Sequence, residues 1–359
     1  MLSENKVRKL KGGLSATFAG EIKMKRINRL SASVLIIVLV LVLALSGCGK
    51  KENNVDLPKA DVSEPVNIAA LNGPTGMGLV ELMGVEGYNV DILQAPTDVV
   101  PKLLNGEVDV ACIPSNLAAV IYNKAPGKTV CISPMIMGVL HILGNNTDIY
   151  DLEELKGMTI VAAGQGGTPE YALRKILKSA GVNPDKDVKI EWLANHADVN
   201  AKLQAEEGVV ALLPEPFVSV ALSSGNENII ELFDMNTEWT VATGQNFPMG
   251  VLVASRDFVE NRADDFAVLL ADIKKSIAAV DEASDEICQK IVDAGFIAKP
   301  EIAKAAIPNC GLTFYIDEEG ERSLAAGREI MEVFNETMFK LDPKAVGGEL
   351  PGDDFFYQP

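Results

Sequence analysis

The sequence predicts an α/β fold of two lobes, each a mainly parallel sheet flanked by helices, and three observations carry that expectation. Short apolar runs alternate with helical patterns from Val66 onward, the rhythm of right-handed βαβ units. Two of the runs end in the same corner, a strand entering a glycine loop and then a helix start. The first is Val66 to Leu71 followed by Asn72-Gly73-Pro74-Thr75-Gly76-Met77-Gly78, and the second is Thr159 to Ala163 followed by Gly164-Gln165-Gly166-Gly167-Thr168-Pro169. Far apart in the chain, the corners point to two lobes facing one ligand. Third, 359 residues of ordinary globular composition favour two medium cores.

At the N-terminus, Val34 to Leu45 is an apolar run preceded by Lys25, Arg26 and Arg29. This is the pattern of a secretory signal, too short for a membrane span. Residues 1–47 are therefore expected to be a signal peptide, with 1–23 either an over-called start or an extension, because Met24 begins a more usual one. Leu45-Ser46-Gly47-Cys48 resembles the bacterial lipobox, which implies lipidation of Cys48 and anchoring to the outer face of the cell membrane. Residues 48–64 are polar without apolar period and are expected to be a flexible tether.

The first lobe is expected over 65–147, with strand ends carrying Pro74 to Met77, Pro96-Thr97-Asp98 and Ser115-Asn116. The runs KTVCISPMIM and GVLHILG close this part and lead to a first crossing at Asn145 to Asp151. The second lobe, 148–246, repeats the scheme, and its strand ends supply Gln165 to Thr168, Asn195-His196 and Glu215-Pro216. Gly244 to Pro248 is the expected return, and 247–359 completes the first lobe with helices whose apolar spacing is amphipathic, as in FAVLLADIKKSIAAV.

Charge excludes one class of partner. Outside residues 1–47 the chain has 24 basic against 48 acidic residues, a net −24, so a nucleic-acid face is not expected. His141 and His196 are the only histidines and lack carboxylates at ligand spacing, so no metal site is expected. There is no G-x-S-x-G, neither corner spells G-x-G-x-x-G, and Gly127-Lys128-Thr129 lacks the glycine-rich cradle of a P-loop. No catalytic residue and no cofactor is assigned. Cys112, Cys131, Cys288 and Cys310 are expected to be buried thiols rather than disulfides, although export leaves pairing open.

The candidate ligand contacts are Pro74, Thr75, Gly76 and Met77 in the first corner, Ser115 and Asn116 at the third strand end, and Gln165, Gly166, Gly167 and Thr168 in the second corner. Helix starts leave N–H groups unpaired and favour negative charge. Glu215, a carboxylate between two prolines at a strand end, is expected to face a donor on the ligand. Trp192 and Phe217 are expected in the core, and His196 at a polar rim.

GPTGMG after the first strand, LLNGEVDVACIPSN, DLEELKGMTIVAAGQGGTPEYALRKIL, LLPEPF and FPMGVLVASRDFVEN together resemble the substrate-binding proteins of ABC importers, in particular the nitrate/sulfonate/taurine-type group. The resemblance runs from about Val66 to Phe339. It implies a periplasmic-binding-protein-like type II fold, a monomer that closes on a small-molecule solute, and a membrane permease as partner. It implies no enzyme activity; the alternatives are an enzyme on the same fold, as in chorismate dehydratase, and a ligand sensor.

Overall fold

Among the described residues ten strands divide into two five-stranded sheets of identical plan, and the way the chain passes between them positions the cleft. The computed structural model describes residues 58–359, and Leu57–Pro359 is one compact unit carrying its own core. In chain order the elements of the first sheet's opening half are β1 (Val66–Leu71), α1 (Pro74–Met77), β2 (Tyr88–Leu93), α2 (Pro96–Leu104), β3 (Val110–Pro114), α3 (Ser115–Lys124) and β4 (Thr129–Met137). The second sheet and its helices follow as β5 (Leu140–Asn145), β6 (Thr159–Ala162), α4 (Thr168–Ser179), β7 (Lys189–Trp192), α5 (His196–Ala205), β8 (Val210–Pro214), α6 (Phe217–Leu222), β9 (Ile229–Asp234) and α7 (Met235–Thr243). The chain then returns through β10 (Pro248–Ser255), α8 (Arg256–Asn261), α9 (Ala263–Asp281), α10 (Asp285–Asp293), α11 (Pro300–Ala306) and α12 (Leu324–Leu341).

The strand orders are β2-β1-β3-β10-β4 and β7-β6-β8-β5-β9. In each, the first three strands are parallel and the fourth is antiparallel to both its neighbours. The sheets are thus mixed, and the reversed strand in each is the one that has just crossed from the other sheet. Strands such as Val110–Pro114 are buried almost throughout, as expected of strands covered on both faces.

Two sequence expectations are corrected here. Leu140–Asn145 pairs with β8 and β9, so the first crossing is the two residues Gly138-Val139 and not Asn145 to Asp151. Gly138 has φ 43°, and an added Cβ would run into the Asn236 side chain, so the tight crossing needs glycine. The expected tether of 48–64 is also too long. The Ala60 N–H donates to Glu86 O, the Ser63 N–H and hydroxyl both donate to Asp265, and Arg262 donates to Glu64 O and Pro65 O. Residues 58–64 therefore belong to the fold.

The late helices pack largely on the first sheet's side. Ser276 on α9 donates to Gly78 O at 2.7 Å and Tyr88 donates to Asp272 at 2.8 Å, while Phe334 on α12 reaches Trp239 on α7 of the second sheet's set. The four cysteines of the described residues are free and buried, and burial pushes the Cys112 and Cys131 thiols up to about 12.

Candidate functional site

The carboxyl ends of strands from both sheets open onto one cleft of about 750 Å³. From the first sheet come Leu71 to Thr75 after β1, Gln94 to Thr97 after β2, and Ile113-Pro114 at the end of β3. From the second come Ala163 to Gly167 after β6, Ala194 to Asp198 after β7, and Pro214-Glu215 after β8. Strand ends are where open α/β sheets place ligands, because loops there leave main-chain groups uncovered. Most of the remaining wall is apolar, with Val100, Leu104, Leu117, Val120 and Ile136 among its members, and among the described residues Lys124 is the one lysine or arginine in the lining.

The eleven residues expected at the ligand divide into two sets. Pro74, Thr75, Gln165, Gly166, Gly167 and Glu215 line the cleft; Gly76, Met77, Ser115, Asn116 and Thr168 do not. Met77 is fully buried core, and a Cβ on Gly76 would fall 2.5 Å from the Phe296 ring and 2.9 Å from Leu71 O. Both residues therefore serve packing. Ser115 is fully buried with its hydroxyl unpaired among the described residues.

Asn116 and Thr168, also fully buried, are bonded to each other. The Thr168 hydroxyl donates to Asn116 Oδ1 at 3.0 Å, and Asn116 Nδ2 donates to Gly166 O at 3.3 Å and to Ala345 O at 3.1 Å. The polar groups that start helices α3 and α4 thus form a clasp between the two sheets' helices beside the cleft. In low dielectric such a satisfied network is worth more than its exposed equivalent.

The second corner is less open to an anion than its glycines imply. The Gly166 N–H already donates to the Glu170 carboxylate at 2.8 Å, and the Gly167 N–H donates to Gly164 O. Glu170 is held in turn by Arg174 at 2.8 Å, one helical turn on. Gln165 is exposed, with its side chain unbonded among the described residues.

Glu215 is 1% exposed and both its oxygens are engaged by one residue: Ser219 N–H donates to Oε2 at 3.1 Å and Ser219 Oγ to Oε1 at 3.0 Å. Burial raises its pKa above the ordinary carboxylate value, opposed by those two bonds. Both bonds tie it to the first turn of α6.

The structure also brings to the cleft residues that were not expected at the ligand. His196, expected at a polar rim, is a largely buried part of the wall, its ring tilted against Phe217 at 5.9 Å. Phe217, expected in the core, lines the cleft, while Trp192 does not. Leu117, Val120, Ile121 and Lys124 occupy one face of α3 at spacings of three and four. Helical periodicity exposes such a face, but a face turned to a cleft and one turned to a core have the same spacing.

A protein-family model described as the NMT1-like family matches residues 75–292. YtlA of Bacillus subtilis (strain 168), assigned as a binding protein, is 22% identical over 198 residues, 53% of this chain. That match spans 58% of YtlA's own length. Among solved structures, an ABC transporter protein of Parabacteroides distasonis is 20% identical with a TM-score of 0.64, over 82% of this chain and 99% of that one. The periplasmic aliphatic sulphonate binding protein SsuA of Escherichia coli is 18% identical with a TM-score of 0.60, over 82% and 92%. The Candida albicans protein CA3427, which has the generic periplasmic binding protein fold, is 14% identical with a TM-score of 0.53, over 80% and 99%. At these identities the likeness establishes the fold, which is that of the periplasmic binding proteins.

Proposed function

We propose, from the premise that this chain belongs to the NMT1-like family, that it is a lipid-anchored extracytoplasmic solute-binding protein that captures a small molecule between its two lobes and delivers it to an ABC importer. One observation carries the reading: a single cleft is walled by the strand ends of two sheets with the same order, joined by two crossings. Crossings of this kind act as hinges, so each lobe brings half of the wall and ligand favours the closed arrangement. A binding role rather than catalysis is in keeping with the binding proteins among its relatives.

In this reading Pro74, Thr75, Gln165, Gly166, Gly167 and Glu215 touch the solute. The solute is small, with an acceptor or anionic group facing Lys124 and the first corner and an apolar body against the rest of the wall. A bare inorganic anion fits poorly, because Glu170 already holds the Gly166 N–H and the lining carries two carboxyl groups, Asp198 and Glu215. Cys48, which lies outside the described residues, would carry the lipid, and the protein would act as a monomer beside its permease.

A thermal-shift screen of residues 48–359 with sulfonates, nitrate, bicarbonate, pyrimidines, flavins and amino acids tests capture. A solute at a hundred times its Kd adds about 2.7 kcal/mol. One chemical class raising the midpoint is the expected result, and a flat response across the screen would count against the reading. Anchoring is tested separately by metabolic labelling with a fatty acid, which Cys48→Ala should abolish.

A further inference from the structure

Among the described residues, the wall of the cleft holds one buried polar side-chain atom without a partner, His196 Nδ1. His196 opens α5, where Asn195 caps the helix by accepting from the Asp198 N–H at 2.8 Å. The His196 ring lies tilted against that of Phe217, the first residue of α6. The two ring nitrogens then meet different surroundings. Nδ1 is shut off from solvent and has no partner among the described residues. Nε2 is not among the buried unpaired atoms and makes no bond to the described residues, and the residue as a whole is half-buried and lines the cleft.

We propose that His196 is a specificity-determining residue of the cleft, donating from Nε2–H to an acceptor atom on a solute whose flat apolar part lies against Phe217. The inference rests on the reading that this cleft holds the solute. A buried N–H without a partner is a costlier defect than a buried acceptor with an unused lone pair. The proton of the neutral ring therefore sits on Nε2, the nitrogen that a solute can reach. Burial also holds the ring's pKa down at about 4, so at neutral pH it offers one proton and no charge. The class of ligand selected is a flat, largely apolar molecule with a carbonyl, ring-nitrogen or similar acceptor at one edge. Such a group needs no cation opposite it, in keeping with the scarcity of cations in the lining.

The test uses two shape-matched probes, acetophenone and α-methylstyrene, which differ in a carbonyl oxygen against a methylene. Their dissociation constants are measured by ligand-observed NMR on residues 48–359, which contain the whole compact unit. The ratio of the two constants is the readout, since it cancels the difference in hydrophobicity. His196→Phe should shift that ratio roughly tenfold against acetophenone, the worth of one hydrogen bond, and His196→Gln, which keeps a donor, should restore most of it. An unchanged ratio in His196→Phe, or no binding of acetophenone by the native sequence, overturns the inference. Long-range ¹⁵N correlation spectra of the unsubstituted protein decide it independently of how the variants fold. The chain has only two histidines, and His196 must show a protonated Nε2 and a bare Nδ1; the opposite tautomer overturns the proposal. A protein that is stabilised by a screened solute but fails both of these tests loses this inference while its binding role stands.

Discussion

The two glycine corners occupy the same place in the two sheets and have been put to different uses. Each follows the second strand of its sheet, β1 in one and β6 in the other. The first corner is collapsed: its helix is a single turn of four residues, Thr75, Gly76 and Met77 are buried, and the Thr75 hydroxyl donates to Leu71 O. The second is open, with Gly164, Gln165 and Gly166 exposed and a twelve-residue helix behind them. The lesson is that a strand–glycine–helix pattern specifies a chain path, and what the loop then touches is decided by side chains from elsewhere. Phe296 fills the first corner and Glu170 satisfies the second.

Substituting the glycines separates packing from conformation. Gly76→Ala places a methyl against the Leu71 carbonyl, which cannot move without disturbing β1, and should cost about 2–3 kcal/mol in denaturant unfolding. Gly166→Ala meets nothing within 4 Å but must adopt φ 78°, so its cost should be about 1 kcal/mol. Equal losses would mean that the two corners are not packed differently.

The clasp is where the corners' helices meet, and it predicts coupling. Asn116→Ala leaves Thr168 Oγ1 and two carbonyls short of partners, a loss of about 1–3 kcal/mol. Combined with Thr168→Val, the loss should fall short of the sum of the single losses by about 1 kcal/mol in a double-mutant cycle. Strict additivity would show that the two side chains act separately. Small-angle scattering on Asn116→Ala should also show a larger radius of gyration, because the clasp joins helices that belong to different sheets.

The smallest effect expected is on pH dependence. Burial raises the Glu215 pKa in the folded chain, so the folded state holds this proton to higher pH than the unfolded state does. Stability from this group is therefore fully present below its unfolded value and is lost as pH rises through the folded one. Glu215→Gln should match the native chain at low pH and gain on it towards neutrality in thermal unfolding. A gap that narrows as pH rises would contradict the assignment.

Much of this architecture was legible in the sequence, and the failures have physical reasons. Apolar runs such as VACIP and VALLP gave the strands, and the corners were found because glycine at a strand end has few other uses. The crossing was misplaced because GVLHILG has the composition of any buried strand, and only its pairing with β8 and β9 assigns it to the second sheet. Asn116 and Thr168, expected at the ligand as polar groups at helix starts, bond instead to each other across 52 positions of chain, which local patterns do not reveal. His196 is similar: the ring it lies against, that of Phe217, is on a different helix.

The central claim is that the cleft between the sheets is the binding site, and one titration tests it most directly. Leu117 is a half-buried cleft residue on α3. Leu117→Asp puts a carboxylate into an apolar wall without removing any bond described above, so the free protein should melt close to the native one. Calorimetry with the solute found by the screen should then show at least a tenfold weaker Kd, since a charge buried against apolar surface costs several kcal/mol. Undiminished affinity in a correctly folded Leu117→Asp protein would place the solute elsewhere and contradict the account.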